Sequence, residues 1–234
     1  MTDYRALFEG RYGTAGLSDA AFRAGTQLGV APAGLVSLNP HDKLAGPAVT
    51  VEANNDLVSI IGAVHAAVEG DVVVIANRTR EVALIGDLIA TEAARKGLGG
   101  FVVDAFVRDR LEIQRLDVPV CCHGVIPVGP LKLSPESKGV GRANVAVQLG
   151  QATLNPGDWV FGDADGVLVL AEGDLENVFE QAEITWEREE ALAGAIRSGE
   201  ALGDLLGVEA FLEKREQDLQ ADFNRHLAEL GRAI

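Results

Sequence analysis

Arg108 and Asp109 place two kinds of chemistry on adjacent residues. The guanidinium is a planar fork that grips a carboxylate through two hydrogen bonds, and the aspartate is a hard oxygen ligand for a divalent metal. Together they could bind and polarise a 2-oxo acid. Upstream, Gly86-Asp87-Leu88-Ile89 adds a second feature. A helix that starts there exposes backbone N–H groups and the positive end of its dipole, which can hold a carboxylate or phosphate. The plain structural alternative is that Asp87 only caps this helix, Arg108 lies on the surface and Asp109 caps a short helical segment, Arg110 to Leu116.

The elements that must position these residues follow a strand–helix–strand pattern. The β-prone run Asp71-Val72-Val73-Val74-Ile75 and the segment Glu81 to Ile85 lead into Gly86-Asp87. Leu88 to Lys96 has helical composition and stops at Gly97, which places Asp87 as a helix cap. The buried-looking strand Phe101-Val102-Val103 then delivers Asp104, Arg108 and Asp109 at or just beyond its carboxyl end, where ligands sit in α/β sheets.

Composition narrows the partners. The 234 residues, 47% hydrophobic and 24% charged, fit one compact domain with appended helices. Twenty Lys and Arg against 35 acids give a net charge of −15. That balance argues against nucleic acid, which needs clustered cations, and suits an enzyme that binds metal cations. Cys121 and Cys122 form neither a metal-type spacing nor a disulfide framework; they read as buried strand residues in a reducing compartment. Met1 to Arg5 shows no cationic head with a long apolar run, and no stretch reaches membrane-spanning length, so the expectation is a cytoplasmic protein with no membrane partner. The glycines at 97, 99 and 100 match neither a dinucleotide-binding nor a P-loop pattern, so no nucleotide cofactor is expected.

The remaining segments frame the site. Two short helices are expected between Tyr4 and Leu28, with Thr14 or Ser18 as caps and the second beginning at Ser18. Pro47 to Ala53 reads as a strand and Asp56 to Glu69 as a helix ending at Gly70, with His65 a structural histidine. Val118 to His123 reads as a strand, Pro135 to Gly141 as a polar loop, and Val145 to Leu149, Trp159 to Phe161 and Val167 to Leu170 as further strands. The acidic Asp163-Ala164-Asp165-Gly166 is turn chemistry, lacking the ligands of an EF-hand. Gly173 to Arg197 is a long amphipathic helix with Leu175, Val178, Phe179, Ala182, Trp186, Ala193 and Ile196 on one stripe. Glu189 falls within that stripe, where an ionised acid must reach an interface edge, pair with a base or face a metal. A second helix, Val208 to Leu230, mixes its charges and reads as exposed or subunit-bridging.

Taken together, Thr14-Ala15-Gly16-Leu17-Ser18-Asp19-Ala20, Leu44 to Val51, Gly70 to Val74, Gly86-Asp87-Leu88, Val103-Asp104 with Arg108-Asp109, Asp117 to Val120 and Asn155 to Val167 resemble the RraA-like family. That family includes class II 4-hydroxy-4-methyl-2-oxoglutarate/4-carboxy-4-hydroxy-2-oxoadipate aldolases and regulators of ribonuclease activity. The resemblance, in order from Thr14 to Val169, implies a layered α/β/β sandwich with a swivelling β-β-α core, N-terminal helices and a C-terminal helical extension. Residues 1–172 would form the α/β domain and 173–234 the extension, packed on a neighbouring subunit. In the aldolase branch Asp109 would bind Mg²⁺ or Mn²⁺ and Arg108 the pyruvyl part of the substrate. Gly86 to Ile89 would take its carboxylate through the amides of Leu88 and Ile89, with Asp87 acting through metal-bound water. Glu189, with Glu190 as rival, would approach from a neighbouring subunit of a homotrimer or homohexamer. The implied activity is retro-aldol release of pyruvate with oxaloacetate decarboxylation; the alternative is a non-catalytic regulator that binds an RNA-degrading enzyme. Ala105 stands where many members carry glycine, Asn77 where an acid is common, and Cys121-Cys122-His123 replaces a blander stretch.

Overall fold

The computed structural model of the chain describes residues 2–133 and 139–231. Its helices are α1 (Tyr4–Gly10), α2 (Thr14–Ala24), α3 (Leu57–Ala66), α4 (Asp87–Lys96), α5 (Arg110–Ile113), α6 (Leu175–Arg197), α7 (Leu202–Leu205), α8 (Val208–Gln217) and α9 (Phe223–Glu229). The strands of the first half are β1 (Gly29–Val30), β2 (Val36–Ser37), β3 (Leu44–Glu52), β4 (Val72–Ala76), β5 (Ala83–Ile85), β6 (Gly100–Val103), β7 (Phe106–Val107) and β8 (Val120–Cys122). Those of the second half are β9 (Arg142–Ala143), β10 (Val147–Leu149), β11 (Ala152–Leu154), β12 (Trp159–Gly162) and β13 (Val167–Leu170).

Strands β3, β4, β6 and β8 pair in parallel, Val73 opposite both Val49 and Phe101, and Val102 opposite Cys121. Antiparallel β12, β13 and β1 extend this sheet beyond β3, and β2 closes the other edge. The inner strands β4, β6 and β8 are apolar throughout because both faces are covered, as such sheets require. Alternate residues divide between two cores. Val73, Ile75, Phe101, Val103, Val120 and Cys122 pack under α3 and α4; Val72, Val74, Val102 and Cys121 pack against the β10–β11 hairpin. The result is a mixed α/β fold of helices, sheet and hairpin in layers. A third core joins α1, α2 and α6 to β12 and β13 through Phe8, Phe161 and Phe179.

Several expectations need correcting. The second helix starts at Thr14, not Ser18, because Asp163 fixes its first turn by accepting from both the Thr14 N–H and its hydroxyl (2.7 Å each). Within the acidic turn itself the Asp165 N–H donates to Asp163 Oδ1 (2.9 Å) and the Asp163 N–H to the Gly166 carbonyl (3.0 Å). On α6, Thr185 and Leu192 are buried while Ile196 is exposed, since the helix outruns α2 and ends beside α7. The single helix expected over Val208 to Leu230 is two, α8 and α9. Asp218 ends the first, and Asp222 starts the second by accepting from the N–H groups of Asn224 and Arg225. The reversal brings Phe211, Phe223 and His226 together. His65, expected as a structural rather than a catalytic histidine, is exposed on α3. The polar loop expected over Pro135 to Gly141 lies, over 135–138, outside the described residues. Among the described residues no helix is long and apolar enough to cross a membrane.

Candidate active site

β5 and β7 form a small parallel sheet of their own, so the turn after β5 and the chain after β7 emerge side by side. The first gives Gly86-Asp87 and the start of α4; the second gives Arg108-Asp109. The Arg108 N–H donates to the Ile85 carbonyl (3.1 Å), which locks the two exits together.

Asp109 adopts a left-handed backbone, φ +59° and ψ +42°. A non-glycine residue there carries a cost of order 1 kcal/mol or more, and such residues cluster at functional sites. The consequence is directional. The Asp109 side chain makes no capping bond to α5, which itself runs only to Ile113 rather than Leu116. It turns back instead, and Oδ2 accepts from the Asp87 N–H (3.3 Å) and meets Arg108 Nε (3.2 Å).

Asp87 is the first residue of α4, not its cap. Gly86 occupies the cap position with an extended backbone (φ −145°, ψ −166°), since it must pass beneath the Arg108–Asp109 pair. A Cβ on Gly86 would lie 2.4 Å from Asp109 Oδ2 and 3.0 Å from Arg108 Nε. Gly129 makes room on the other side, where a Cβ would lie 2.9 Å from an Arg108 terminal nitrogen. The Leu88 N–H already donates to Asp87 Oδ1 (2.8 Å), so Leu88 differs from the expected carboxylate-binding amide. The Ile89 N–H remains among the first-turn groups that a helix leaves without an intrahelical acceptor.

Gly86 to Ile89, Arg108 and Gly129 line an open cleft of about 400 Å³ between α3, the start of α4 and residues 127–131, and Asp109 adjoins it through its contacts with Arg108 and Asp87. Asp87 and Arg108 are its charged lining among the described residues; Leu57, Ile61, Leu88 and Leu131 supply apolar wall. No residue of α6 lines it. Glu189 is half-buried on α6, apart from the cleft within one chain, while Glu190 pairs with Arg197 (3.2 Å).

The donor set suits a hard cation. Mg²⁺ and Mn²⁺ take one or two carboxylates and fill their other positions with water and substrate oxygens. Asp109 offers such a carboxylate with Asp87 adjacent, and no cluster of three or more His, Cys, Asp or Glu converges among the described residues.

Asp104 does not join this group. It is buried, and its Oδ1 meets Arg80 (2.8 Å) and His123 Nε2 (2.8 Å). Sequence reading missed this association. Its signal was that β6 and β8 end at neighbouring positions of one parallel sheet, bringing the residues after each into register. Ala105 keeps an ordinary negative φ, so its side chain is accommodated where glycine is common. Asn77 donates to Asn55 Oδ1 (2.8 Å) and to the Thr79 carbonyl (2.7 Å), replacing an acid with an uncharged brace.

The family described as RraA-like, Aldolase/RraA, matches residues 14–169. The chain belongs to this family. Among RraA-like relatives, one from Halalkalibacterium halodurans named "Putative 4-hydroxy-4-methyl-2-oxoglutarate aldolase" is 35% identical over 181 residues, covering 76% of this chain and 80% of that protein. An uncharacterized protein from Pseudomonas syringae shares the fold with a TM-score of 0.71 at 23% identity, over 86% of this chain and 95% of its own. Streptomyces coelicolor RraAS2, described as an unusual member of the RNase ES inhibitor RraA protein family, aligns with a TM-score of 0.64 at 24% identity, covering 76% and 89%.

Proposed function

We propose that the protein is a divalent-metal-dependent lyase that cleaves 4-hydroxy-2-oxo acids by a retro-aldol reaction, releasing pyruvate and a second oxo acid. Candidate substrates are 4-hydroxy-4-methyl-2-oxoglutarate and 4-carboxy-4-hydroxy-2-oxoadipate, with oxaloacetate decarboxylation as a side activity. The observation that carries this reading is that Arg108 and the first turn of α4 line one cleft while the Asp109 carboxylate, just behind it, touches both Arg108 and the Asp87 N–H. The name of the Halalkalibacterium relative supports it.

Arg108 holds the substrate carboxylate and offsets the negative charge that gathers on the 2-oxo oxygen as the C3–C4 bond breaks. The Ile89 N–H adds a donor at the positive end of α4. Asp87 has one oxygen engaged by Leu88, which leaves Oδ2 to take the C4 hydroxyl proton through a water. The electron pair of the broken bond passes to C3, which takes up a proton to give pyruvate. A Mg²⁺ or Mn²⁺ ion held by Asp109 would supply Lewis acidity at the 2-oxo group. Glu189, presented by a second copy of the chain in a trimer or a pair of trimers, completes the acidic side of the site.

The test is pyruvate release from 4-hydroxy-4-methyl-2-oxoglutarate and from oxaloacetate with Mg²⁺. Turnover of either supports the lyase. Absence of turnover with both, alongside binding to an RNA-degrading enzyme, would replace this reading with that of a non-catalytic regulator.

A further inference from the structure

The turn between β6 and β7 is where the chain leaves the main sheet for the small one, and it is tied on every side. The Asp104 N–H donates to the Ile75 carbonyl (2.9 Å) and the His123 N–H to the Ala105 carbonyl (3.0 Å). The Val107 N–H reaches the Gly124 carbonyl (3.0 Å), and the Ile126 N–H returns to Val107 (2.9 Å). At the centre stands the Asp104 carboxylate. Its Oδ1 accepts from Arg80 Nε (3.2 Å), from an Arg80 terminal nitrogen (2.8 Å) and from His123 Nε2 (2.8 Å). Arg80 precedes β5, which runs into Gly86-Asp87; Asp104 precedes β7, which runs into Arg108-Asp109; His123 follows β8. One buried carboxylate therefore joins the two segments that carry the candidate site to the end of β8.

The Arg80–Asp104 pair, buried on the aspartate side and half-exposed on the arginine side, gives little net stability, because solvent screens the attraction and holding the long side chain costs entropy. Its value lies in fixing one geometry. Catalytic groups tolerate little displacement, and a misplacement of about 1 Å can cost about a hundredfold in rate. We infer that Asp104, held between Arg80 and His123, is a positioning residue that sets Arg108 and Asp109 against the start of α4. This role rests on the lyase reading of the cleft.

The experiment compares the wild type with Asp104→Ala and Asp104→Asn, measuring the KM and kcat for oxaloacetate, pyruvate binding by calorimetry in Mg²⁺, and thermal unfolding. A purely structural loss lowers kcat with the folded fraction and leaves KM alone. Displacement of Arg108 instead raises KM. Asp104→Ala is expected to raise KM and weaken pyruvate binding about tenfold or more. Asp104→Asn, which keeps an oxygen for His123, should bring both back to within about threefold of the wild type. A wild-type KM in Asp104→Ala, at any unfolding midpoint, overturns the inference. If that variant does not fold, Arg80→Ala decides, since the Arg80 side chain is 45% exposed and its removal leaves the core intact; a raised KM supports the role and an unchanged one overturns it. Wild-type protein that turns over neither oxaloacetate nor a 4-hydroxy-2-oxo acid removes the lyase reading and this inference together. Turnover with an unmoved KM removes the inference alone.

Discussion

The carboxylate of Asp109 lies 3.2 Å from the guanidinium of Arg108, its neighbour in sequence, because the left-handed backbone of Asp109 folds its side chain back on the preceding residue. Adjacent residues in extended chain point to opposite sides. The reversal makes a composite group, a cation and a hard oxygen donor facing the same helix start.

Gly86→Ala tests how closely this group is packed. The extended Gly86 backbone admits alanine, but the new Cβ would sit 2.4 Å from Asp109 Oδ2. That oxygen ends a movable side chain, so the carboxylate shifts while the fold survives. We expect stability within about 1 kcal/mol of the wild type by urea unfolding and pyruvate-forming activity down about a hundredfold. Full activity in the variant would show that Asp109 need not stand where it does.

Backbone strain at Asp109 separates stability from function. Asp109→Gly relieves the left-handed conformation, whereas Asp109→Ala keeps it. The glycine variant is expected to be more stable than the alanine variant by about 1 kcal/mol in denaturant unfolding, with both inactive. Equal stability would mean that the conformation carries no cost.

The pH dependence of stability has an identifiable source where α6 meets the N-terminal helices. Burial, reinforced by its hydrogen bond to Glu183, pushes Tyr12 up to about 12. The folded state therefore holds this proton longer than the unfolded chain does. Its contribution is intact below the ordinary tyrosine value of about 10 and is lost as pH rises from there toward 12. Glu183 is shifted down by its bonds to Tyr12 and Arg11, so its contribution is present above the ordinary glutamate value and is lost as pH falls through the lower folded one. Melting curves of Tyr12→Phe against the wild type should show a smaller loss above pH 10 and less acid sensitivity. An unchanged alkaline slope would contradict the assignment.

The cysteines give a probe of core integrity. Cys121 and Cys122 are buried on β8, and burial raises both thiols above their ordinary value, Cys121 the further. The thiolate is the reactive form, so native protein at pH 8 should resist an aromatic disulfide reagent and release two equivalents only on unfolding, in line with its two cysteines. Rapid labelling of the native protein would show that the sheet opens.

The parts of the fold that follow from local chemistry were legible in the sequence. The apolar runs at Val72 to Ile75, Phe101 to Val103 and Val167 to Leu170 are strands, and Gly97 ends α4 in a left-handed conformation, as its position after Lys96 implies. What was not legible depends on contacts between distant segments. Asp87 reads as a cap until Gly86 is drawn out against Asp109, and the mixed charges of Val208 to Leu230 conceal the two aspartates that end one helix and start another. At the site, Arg108, Asp109 and the start of α4 were named from their types and spacing. The Arg80–Asp104–His123 network was not, because its members meet only once β6 and β8 are in register and Arg80, ahead of β5, reaches the end of β6.

The most direct measurement is pyruvate formation from oxaloacetate and 4-hydroxy-4-methyl-2-oxoglutarate by the wild type and Asp109→Ala, with Mg²⁺ and with a chelator. The account predicts turnover by the wild type that the chelator abolishes and that Asp109→Ala lacks at any Mg²⁺ concentration. Turnover that survives the chelator, or an Asp109→Ala variant as active as the wild type, would contradict it.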